Sequence, residues 1–198
     1  MITKIIAAVL VALVSVGVIA QNKVYMEQVG SSSTVTILQD GSDNKIGTDL
    51  APIYIGSGSN TVNIQQIGAG NQLAMVVNGA ATNVALTVNG SNNEKTINCG
   101  TTGSATCSSS TITQTITGDD NIVTQNLGTG ANHISNLTIT GSTNTVTHNS
   151  TNTGAVTVDY TIVGSLNNIT LTQSGMLAKV ISATTTGSSN TISITQSD

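Results

Sequence analysis

Glycine recurs along this chain at a nearly regular interval, and short runs of alternating residues fill the spaces between. Fourteen of the nineteen glycines from Gly30 to Gly187 divide 157 residues into thirteen intervals of about twelve residues. In the run 33–39 the odd positions are Ser, Val, Ile and Gln, whereas Thr and Leu occupy the even positions. Alternation with period two is the pattern of a half-buried β-strand, and Gly-x-x-Asn is typical of tight turns because both residues tolerate positive φ. The repeat therefore predicts about fifteen short strands.

The composition decides how such strands can be stabilised. Phe and Trp are absent and Tyr occurs three times, so aromatic side chains cannot supply the core of an ordinary globular domain. Abundant Val, Ile and Thr with a single Pro argue against disorder. One strand–turn–strand arch cannot bury its own inner face, but arches stacked ~4.8 Å apart can. We expect an all-β fold, a β-solenoid of stacked β-arches with about fifteen short strands in seven to eight layers.

The first twenty residues differ from the rest. Lys4 precedes a run of apolar residues over 5–19, and small or aliphatic residues come before Gln21. The run is short of the ~20 residues that cross a bilayer, so residues 1–20 are predicted to be a secretory signal peptide. Residues 21–198 then form the repeat domain, with insertions near 45–56 and 99–110. We expect the protein to be secreted, in an extracellular or cell-surface location, without a membrane segment in its mature form.

Two cysteines bound the second insertion. In an exported protein, Cys99 and Cys107 are expected to form a disulfide that closes a surface loop outside the stack. A metal site would need two more ligands nearby, and none is in sequence reach. The two histidines, His133 and His148, are expected at the surface, and no metal site is predicted.

Charge and motifs limit the classes of function. The formal net charge is −4 and all basic residues are lysines, so the clustered cations that bind nucleic acid are missing. The serines have neither a Gly-x-Ser-x-Gly motif nor a His–Asp partnership. We therefore expect a non-enzymatic protein with no cofactor and no nucleic-acid partner.

Polar slots in the repeat predict ladders. Stacked Asn and Gln side chains bond to their counterparts in the layers above and below. The positions expected in such a self-assembly ladder are Asn22, Gln28, Ser33, Gln39, Asn44, Asn60, Gln66, Asn71, Asn167, Gln173, Asn190 and Gln196. Because these groups are neutral, we expect stability to depend little on salt and pH.

The repeat Ser-x5-Gln-x-Gly-x2-Asn, with Asn often in the Ser slot, resembles that of curlins, the subunits of bacterial curli amyloid fibres. The closest stretches are residues 33–44 and 60–71. The resemblance implies a stack of β-arches that self-assembles into adhesive biofilm-matrix fibres. It implies other copies of the chain as partners, together with a nucleator and a secretion channel. Both end units keep the motif without a charged cap, so their strand edges are expected to be open templates.

Two other functions fit a β-solenoid. One is an adhesin or viral fibre that binds a receptor through the insertions, since binding residues often lie on loops. The other is ice binding through Thr-x-Thr pairs such as Thr34/Thr36, Thr111/Thr113 and Thr138/Thr140. These pairs share the outward parity but lie at different distances from the following glycine. The spacing predicts that no single flat array forms.

Overall fold

Fifteen β-strands make up the regular structure of this protein. The computed structural model describes residues 23–30, 32–47, 53–56, 58–68, 70–90, 92–100, 107–118, 120–128, 132–141, 143–151, 154–164, 166–176, 178–187 and 189–198, and these ranges contain no helix. The strands are β1 (Glu27–Val29), β2 (Thr34–Asp40), β3 (Ile53–Gly56), β4 (Thr61–Ile67), β5 (Leu73–Asn78), β6 (Asn83–Asn89), β7 (Glu94–Cys99), β8 (Thr111–Thr117), β9 (Asp120–Leu127), β10 (His133–Thr140), β11 (Thr143–Ser150), β12 (Val156–Val163), β13 (Ile169–Gln173), β14 (Lys179–Thr186) and β15 (Ile192–Gln196).

Successive strands alternate between two parallel sheets. The even sheet has seven strands in the order β14-β12-β10-β8-β6-β4-β2, and the odd sheet has eight in the order β1-β3-β5-β7-β9-β11-β13-β15. Each strand therefore pairs with the strand two positions further along the chain. A chain that adds one strand to each sheet per turn is a β-solenoid, so the predicted fold class is confirmed.

The predicted alternation decides which side chains fill the interior. In β2 and β4, Val and Ile point inward and are buried, whereas the alternate Thr, Asn and Gln residues face solvent. The inward aliphatic residues of both sheets form one continuous core from Val35 to Leu171. Because this core is narrow, each layer contributes only a few side chains, and stability comes from stacking many layers.

Glycine is required where the chain passes from the even sheet to the odd sheet. Gly68, Gly90 and Gly118 lie directly over the glycine of the preceding layer, and a Cβ atom at these positions would come within 1.5–1.7 Å of that glycine's carbonyl oxygen. The same overlap occurs at Gly141, Gly164 and Gly187. The Gly-x-x-Asn signal thus marks one of the two corners of every layer, which we call the even-to-odd corner.

Several sequence predictions fall partly outside these ranges. The predicted signal peptide 1–20 and Asn22 lie outside the described residues, as do positions 48–52 of the first insertion and 101–106 of the second. The flanks of the first insertion belong to the stack, because Ile46 bridges to Val24 and Leu73, and β3 pairs with β1 and β5. Among the described residues no helix is long and apolar enough to span a membrane.

The C-terminal end of the stack is open. Ile192 and Ile194 of β15 are 45% and 47% exposed, although their paired residues Ile169 and Leu171 in β13 are fully buried. The difference arises because, among the described strands, β15 pairs with β13 on one side and with none on the other. An open cavity of about 450 Å³ at this end is lined by Ala178, Lys179, Gln196, Ser197 and Asp198.

Candidate functional site

A continuous ladder of asparagine side chains runs along the even-to-odd corner. In each layer the Nδ2 group donates a hydrogen bond to Oδ1 of the asparagine in the preceding layer, as from Asn71 to Asn44 at 2.5 Å and from Asn93 to Asn71 at 2.6 Å. The full ladder contains Asn44, Asn71, Asn93, Asn121, Asn144, Asn167 and Asn190.

Two of the ladder asparagines, Asn71 and Asn93, also hold their own turns closed. Nδ2 of Asn71 donates to the carbonyl of Gly68 at 2.8 Å, and Nδ2 of Asn93 donates to that of Gly90 at 3.1 Å. These side chains are buried away from water, so an amide group without a partner in the protein would form no hydrogen bond at all. The three-residue offset between Gly and Asn therefore serves the turn and the ladder together.

The sequence identified only part of this ladder. Asn44, Asn71, Asn167 and Asn190 were predicted, but Asn93, Asn121 and Asn144 were missed. The signal that could have found them is the Gly-x-x-Asn offset itself, since Gly90, Gly118 and Gly141 each precede one of these residues by three positions.

The remaining predicted positions do not join this ladder, because consecutive repeat units lie on opposite sheets. Ser33 and Asn60 stack at the other corner, where the Ser33 backbone N–H donates to Asn60 Oδ1 at 3.2 Å. The next positions in that slot are Thr82 and Ser110, and the Thr82 N–H donates to Ser110 Oγ at 3.2 Å. This corner is closed by mixed polar groups rather than by a uniform amide ladder.

The glutamines form short pairs rather than a long ladder. Gln66 Nε2 donates to Gln39 Oε1 at 3.0 Å, but the next residue in that slot of the even sheet is Val88. In the odd sheet, Gln28 pairs with Ile55 at one end, and Gln173 pairs with Gln196 at the other. The predicted glutamines therefore do not form one ladder. In the even sheet Val88, Ile116 and Ile139 follow Gln66, and in the odd sheet Ile55, Val77, Cys99, Leu127 and Ser150 lie between Gln28 and Gln173.

The cysteines and histidines lie in the interior. Cys99 and Cys107 are joined by a disulfide with their Cα atoms 5.3 Å apart, and both residues are fully buried in the core cluster. His133 and His148 are also buried. The expectations that the disulfide lies outside the stack and that both histidines are surface residues are wrong. Strand alternation places Cys99, His133 and His148 on the inward face, and Cys107, which precedes β8, is buried beside Cys99.

A polar cluster occupies the interior between β8 and β12. The lumen polar cluster consists of Gln114, Gln125, Ser135, His148 and Tyr160, one residue from each of five successive strands. Gln125 Oε1 accepts hydrogen bonds from Ser135 Oγ and Tyr160 Oη, both at 2.9 Å. Tyr160 Oη also lies 2.7 Å from His148 Nδ1.

Burial controls the ionisation of this cluster. It lowers the pKa of His148 to about 4 and raises that of Tyr160, against a smaller lowering by the Ser135 hydrogen bond. Both side chains are therefore neutral near neutral pH. The cluster is enclosed by both sheets, so its bonds contribute to the specificity of packing in these layers.

A buried lysine is the second unusual group. Lys95 in β7 is fully buried, and its Nζ donates to the carbonyl of Glu94 at 3.2 Å. Its neighbours in the same slot are Leu73 and Val123. Burial lowers the pKa of Lys95 to about 7, although the charge of Glu94 raises it in part. A charged side chain in an aliphatic slot is expected to destabilise the layer.

Replacing Lys95 by the leucine of the preceding layer should stabilise the protein. In the wild type, unfolded Lys95 binds a proton up to its ordinary pKa of 10.5, whereas folded Lys95 loses it above about 7. The wild-type stability should therefore rise between pH 7 and 10.5, by at most about 1.4 kcal/mol per pH unit. Lys95→Leu should be more stable at pH 7 and should lack this rise, as measured by urea unfolding at pH 7 and 9.5.

The control for that experiment is Lys45→Leu, which removes a lysine that is only half-buried and should keep the pH dependence. An equal rise in stability with pH in the wild type and in Lys95→Leu would contradict the assignment of this rise to Lys95.

On the acid side, His148 should make the stability of the protein fall as the pH drops from 6.5, the ordinary pKa of histidine, towards 4. These two buried bases lead us to expect a pH dependence of stability that the neutral ladder groups alone would not give.

The outer face of the even sheet carries threonines in register. Thr87, Thr115, Thr138, Thr161 and Thr184 occupy one column across five adjacent strands. A second column, two residues further along each strand, contains Thr117, Thr140, Val163 and Thr186. Thr115/Thr117 aligns directly with Thr138/Thr140, whereas Thr111/Thr113 lies opposite Ile134 and Asn136, as the spacing predicts. The spacing argument overlooked the columns that pass through Thr115 and Thr117.

The C-terminal end carries one charge pair. Lys179 Nζ lies 2.6 Å from Asp198 Oδ1, at the mouth of the open cavity. The expectation that the end units lack a charged group at the growing edge is therefore wrong at this end. The pair is exposed on the Asp198 side, which limits its contribution to stability.

Comparison of the chain with protein-family models, with curated proteins and with solved structures found no match in any of the three.

Proposed function

We propose that this protein is the structural subunit of a self-assembling extracellular fibre, in which copies stack end to end and continue both sheets. The observation that carries the proposal is the open C-terminal end, where Ile192 and Ile194 are half-exposed in a slot that is buried wherever another layer follows. An unpaired parallel edge next to exposed aliphatic residues is a template for a further layer.

The ladder has a polarity that suits head-to-tail stacking. Every Nδ2 group points towards the N-terminal end, so Oδ1 of Asn190 is the last acceptor. Among the described residues Asn44 begins the ladder, one layer in from the N-terminal end, because Ile46 pairs with Val24. A ladder with one direction favours a heterologous contact, which produces an open filament rather than a closed dimer. Adhesive and biofilm-matrix roles, secretion, and the nucleator and secretion channel remain proposals that the resemblance to curlins suggests.

The test is to follow assembly of residues 21–198 by electron microscopy and fibre diffraction. We expect unbranched fibres with a ~4.8 Å meridional reflection. Ile194→Lys should block growth because it places a charge in the proposed joint, whereas Ser193→Lys, on the outward face of the same strand, should still assemble. A wild-type monomer that stays soluble at high concentration for days, or equal growth of both variants, would contradict the proposal.

A second candidate function is ice binding, and the threonine columns favour it. Threonine occupies seven of the eight positions on β8, β10, β12 and β14 in these two columns, and none is charged. Parallel pairing sets a spacing of ~4.8 Å between strands and ~6.6 Å between alternate residues along a strand. A flat, repetitive array of hydroxyl and methyl groups is suited to a repetitive water surface.

Ice recrystallisation in the presence of the non-polymerising Ile194→Lys variant separates this candidate from the fibre. We expect that variant to inhibit crystal growth, Thr138→Tyr to abolish the inhibition, and Thr170→Tyr on the odd sheet to leave it intact. Equal behaviour of the two tyrosine variants would exclude the threonine columns as the binding face. The receptor-binding alternative depends on positions 48–52 and 101–106, which lie outside the described residues, and it stays a prediction.

A further inference from the structure

Three side chains with metal-binding atoms meet inside the solenoid. The Sγ atoms of Cys99 and Cys107 and a ring nitrogen of His133 all lie within 4.8 Å of one another, and all three residues are buried. Cys99 ends β7, Cys107 precedes β8, and His133 begins β10. No third ligand lies near the cysteines in the sequence, and for this reason no metal site was predicted. Stacking of the layers brings His133 from the next layer close to both sulfur atoms.

The three residues depart from the pattern of their slots. The residues paired with Cys99 in the odd sheet are Val77 and Leu127, and the residue paired with His133 in β12 is Val156. Aliphatic side chains therefore fill both adjacent layers at Cys99 and one of the two at His133, where Ser110 precedes β8 on the other side. Two sulfur atoms and an imidazole in one buried corner are a local addition to the repeat.

We infer that, after reduction of the Cys99–Cys107 disulfide, Cys99, Cys107 and His133 bind a zinc ion. Zinc is bound by thiolate at ~2.3 Å and by imidazole at ~2.0–2.1 Å in tetrahedral sites. Tetrahedral ligands at those bond lengths lie about 3.5–3.8 Å apart, which is compatible with donor atoms within 4.8 Å. The fourth position would be taken by water.

Charge selects a divalent ion. Two thiolates, a neutral imidazole and Zn²⁺ sum to zero, so the site adds no net charge to a buried corner. Buried thiols alone resist ionisation, because burial penalises the thiolate. A monovalent soft cation with the same ligands would leave a net negative charge in the interior, which is unfavourable.

The disulfide and the zinc site are mutually exclusive states of the same sulfur atoms. A phosphine reductant and water convert the disulfide into two thiols, and the phosphine is oxidised to its oxide. Zinc then replaces the two thiol protons, which are released to solvent. In this scheme the disulfide seals the corner under oxidising conditions, and zinc holds the same three residues together under reducing conditions.

The test uses residues 21–198, reduced with a phosphine without oxygen and titrated with Co²⁺ as a spectroscopic substitute for Zn²⁺. We expect thiolate-to-cobalt charge-transfer absorption, visible bands of tetrahedral cobalt, and displacement of cobalt by zinc with release of two protons. The oxidised protein should show none of these signals. Circular dichroism before and after metal addition reports whether the sheets persist.

His133→Val is the matched variant, because valine occupies the paired position in β12. It should weaken Co²⁺ and Zn²⁺ binding at least tenfold while the circular dichroism stays that of the wild type, and Cys99→Ser should abolish the charge-transfer band. Reduced wild type that binds neither ion, or binding that survives equally in the oxidised protein or in His133→Val, would overturn the inference. Unfolding on reduction that zinc does not reverse would overturn it as well.

Discussion

Gly90→Ala should prevent the chain from forming the stacked solenoid. A Cβ atom at this position would lie 1.7 Å from the carbonyl oxygen of Gly68 and 2.3 Å from Oδ1 of Asn71. The backbone hydrogen bond from Gly90 N–H to the Thr117 carbonyl, at 3.0 Å, holds the strand in place on the other side. The clash is with backbone that cannot rotate away, so the layers would have to separate.

We expect Gly90→Ala to lower the free energy of unfolding by more than about 4 kcal/mol, a loss that few single substitutions reach. Urea unfolding of the purified variant, or its failure to remain soluble, is the measurement. Asn89→Ala is the control, because Asn89 is the preceding residue and its side chain is exposed. A Gly90→Ala protein with a wild-type unfolding midpoint would show that the glycines do not stack as closely as described.

Asn93→Ala should strongly destabilise the protein through the amide ladder. Asn93 donates to Asn71 Oδ1 and to the Gly90 carbonyl, and it accepts from Asn121 Nδ2 at 2.5 Å. Alanine leaves these three groups without that partner in a buried corner, at about 1–3 kcal/mol for each. We therefore expect a loss of at least about 3 kcal/mol in the free energy of unfolding, measured by urea denaturation.

The neighbouring Asn92→Ala is the matched control. Asn92 donates to Asp120 Oδ2 at 2.8 Å on the exposed surface, and its loss should cost less than about 1 kcal/mol. Similar losses for Asn92→Ala and Asn93→Ala would mean that the buried ladder adds little to stability. Fibre growth should follow the same order, since each added copy would extend the ladder by its own asparagines.

The glutamines should matter less than the ladder asparagines. Gln39→Ala removes one acceptor, but Gln66 Nε2 keeps its bond to the carbonyl of Gln72 at 3.0 Å. Gln173 is buried, and neither its Oε1 nor its Nε2 has a hydrogen-bond partner among the described residues. Gln173→Ala should therefore leave no neighbouring amide without its hydrogen-bond partner.

The sequence by itself determined the local features of the fold. Strand alternation depends only on the period of two between side chains, so the inward Val and Ile residues of β2 and β4 could be assigned directly. The turn at the even-to-odd corner depends on Gly and Asn three positions apart, which is also local. Both features were correctly predicted because neither requires knowledge of which layers touch.

Only the tertiary structure decided which residues stack. Successive ladder asparagines are separated by 22 to 28 residues, because the connections between strands differ in length. Without knowledge of which strands pair, the glycines of the two corners cannot be told apart in the sequence. For the same reason Gln39 and Gln173 look like members of one ladder, although they lie on different sheets. The same loss of register hid the aligned threonines and the meeting of His133 with the cysteines, since both are contacts between layers. The burial of Lys95 follows instead from its local alternation with Ile97, a signal that the sequence carried.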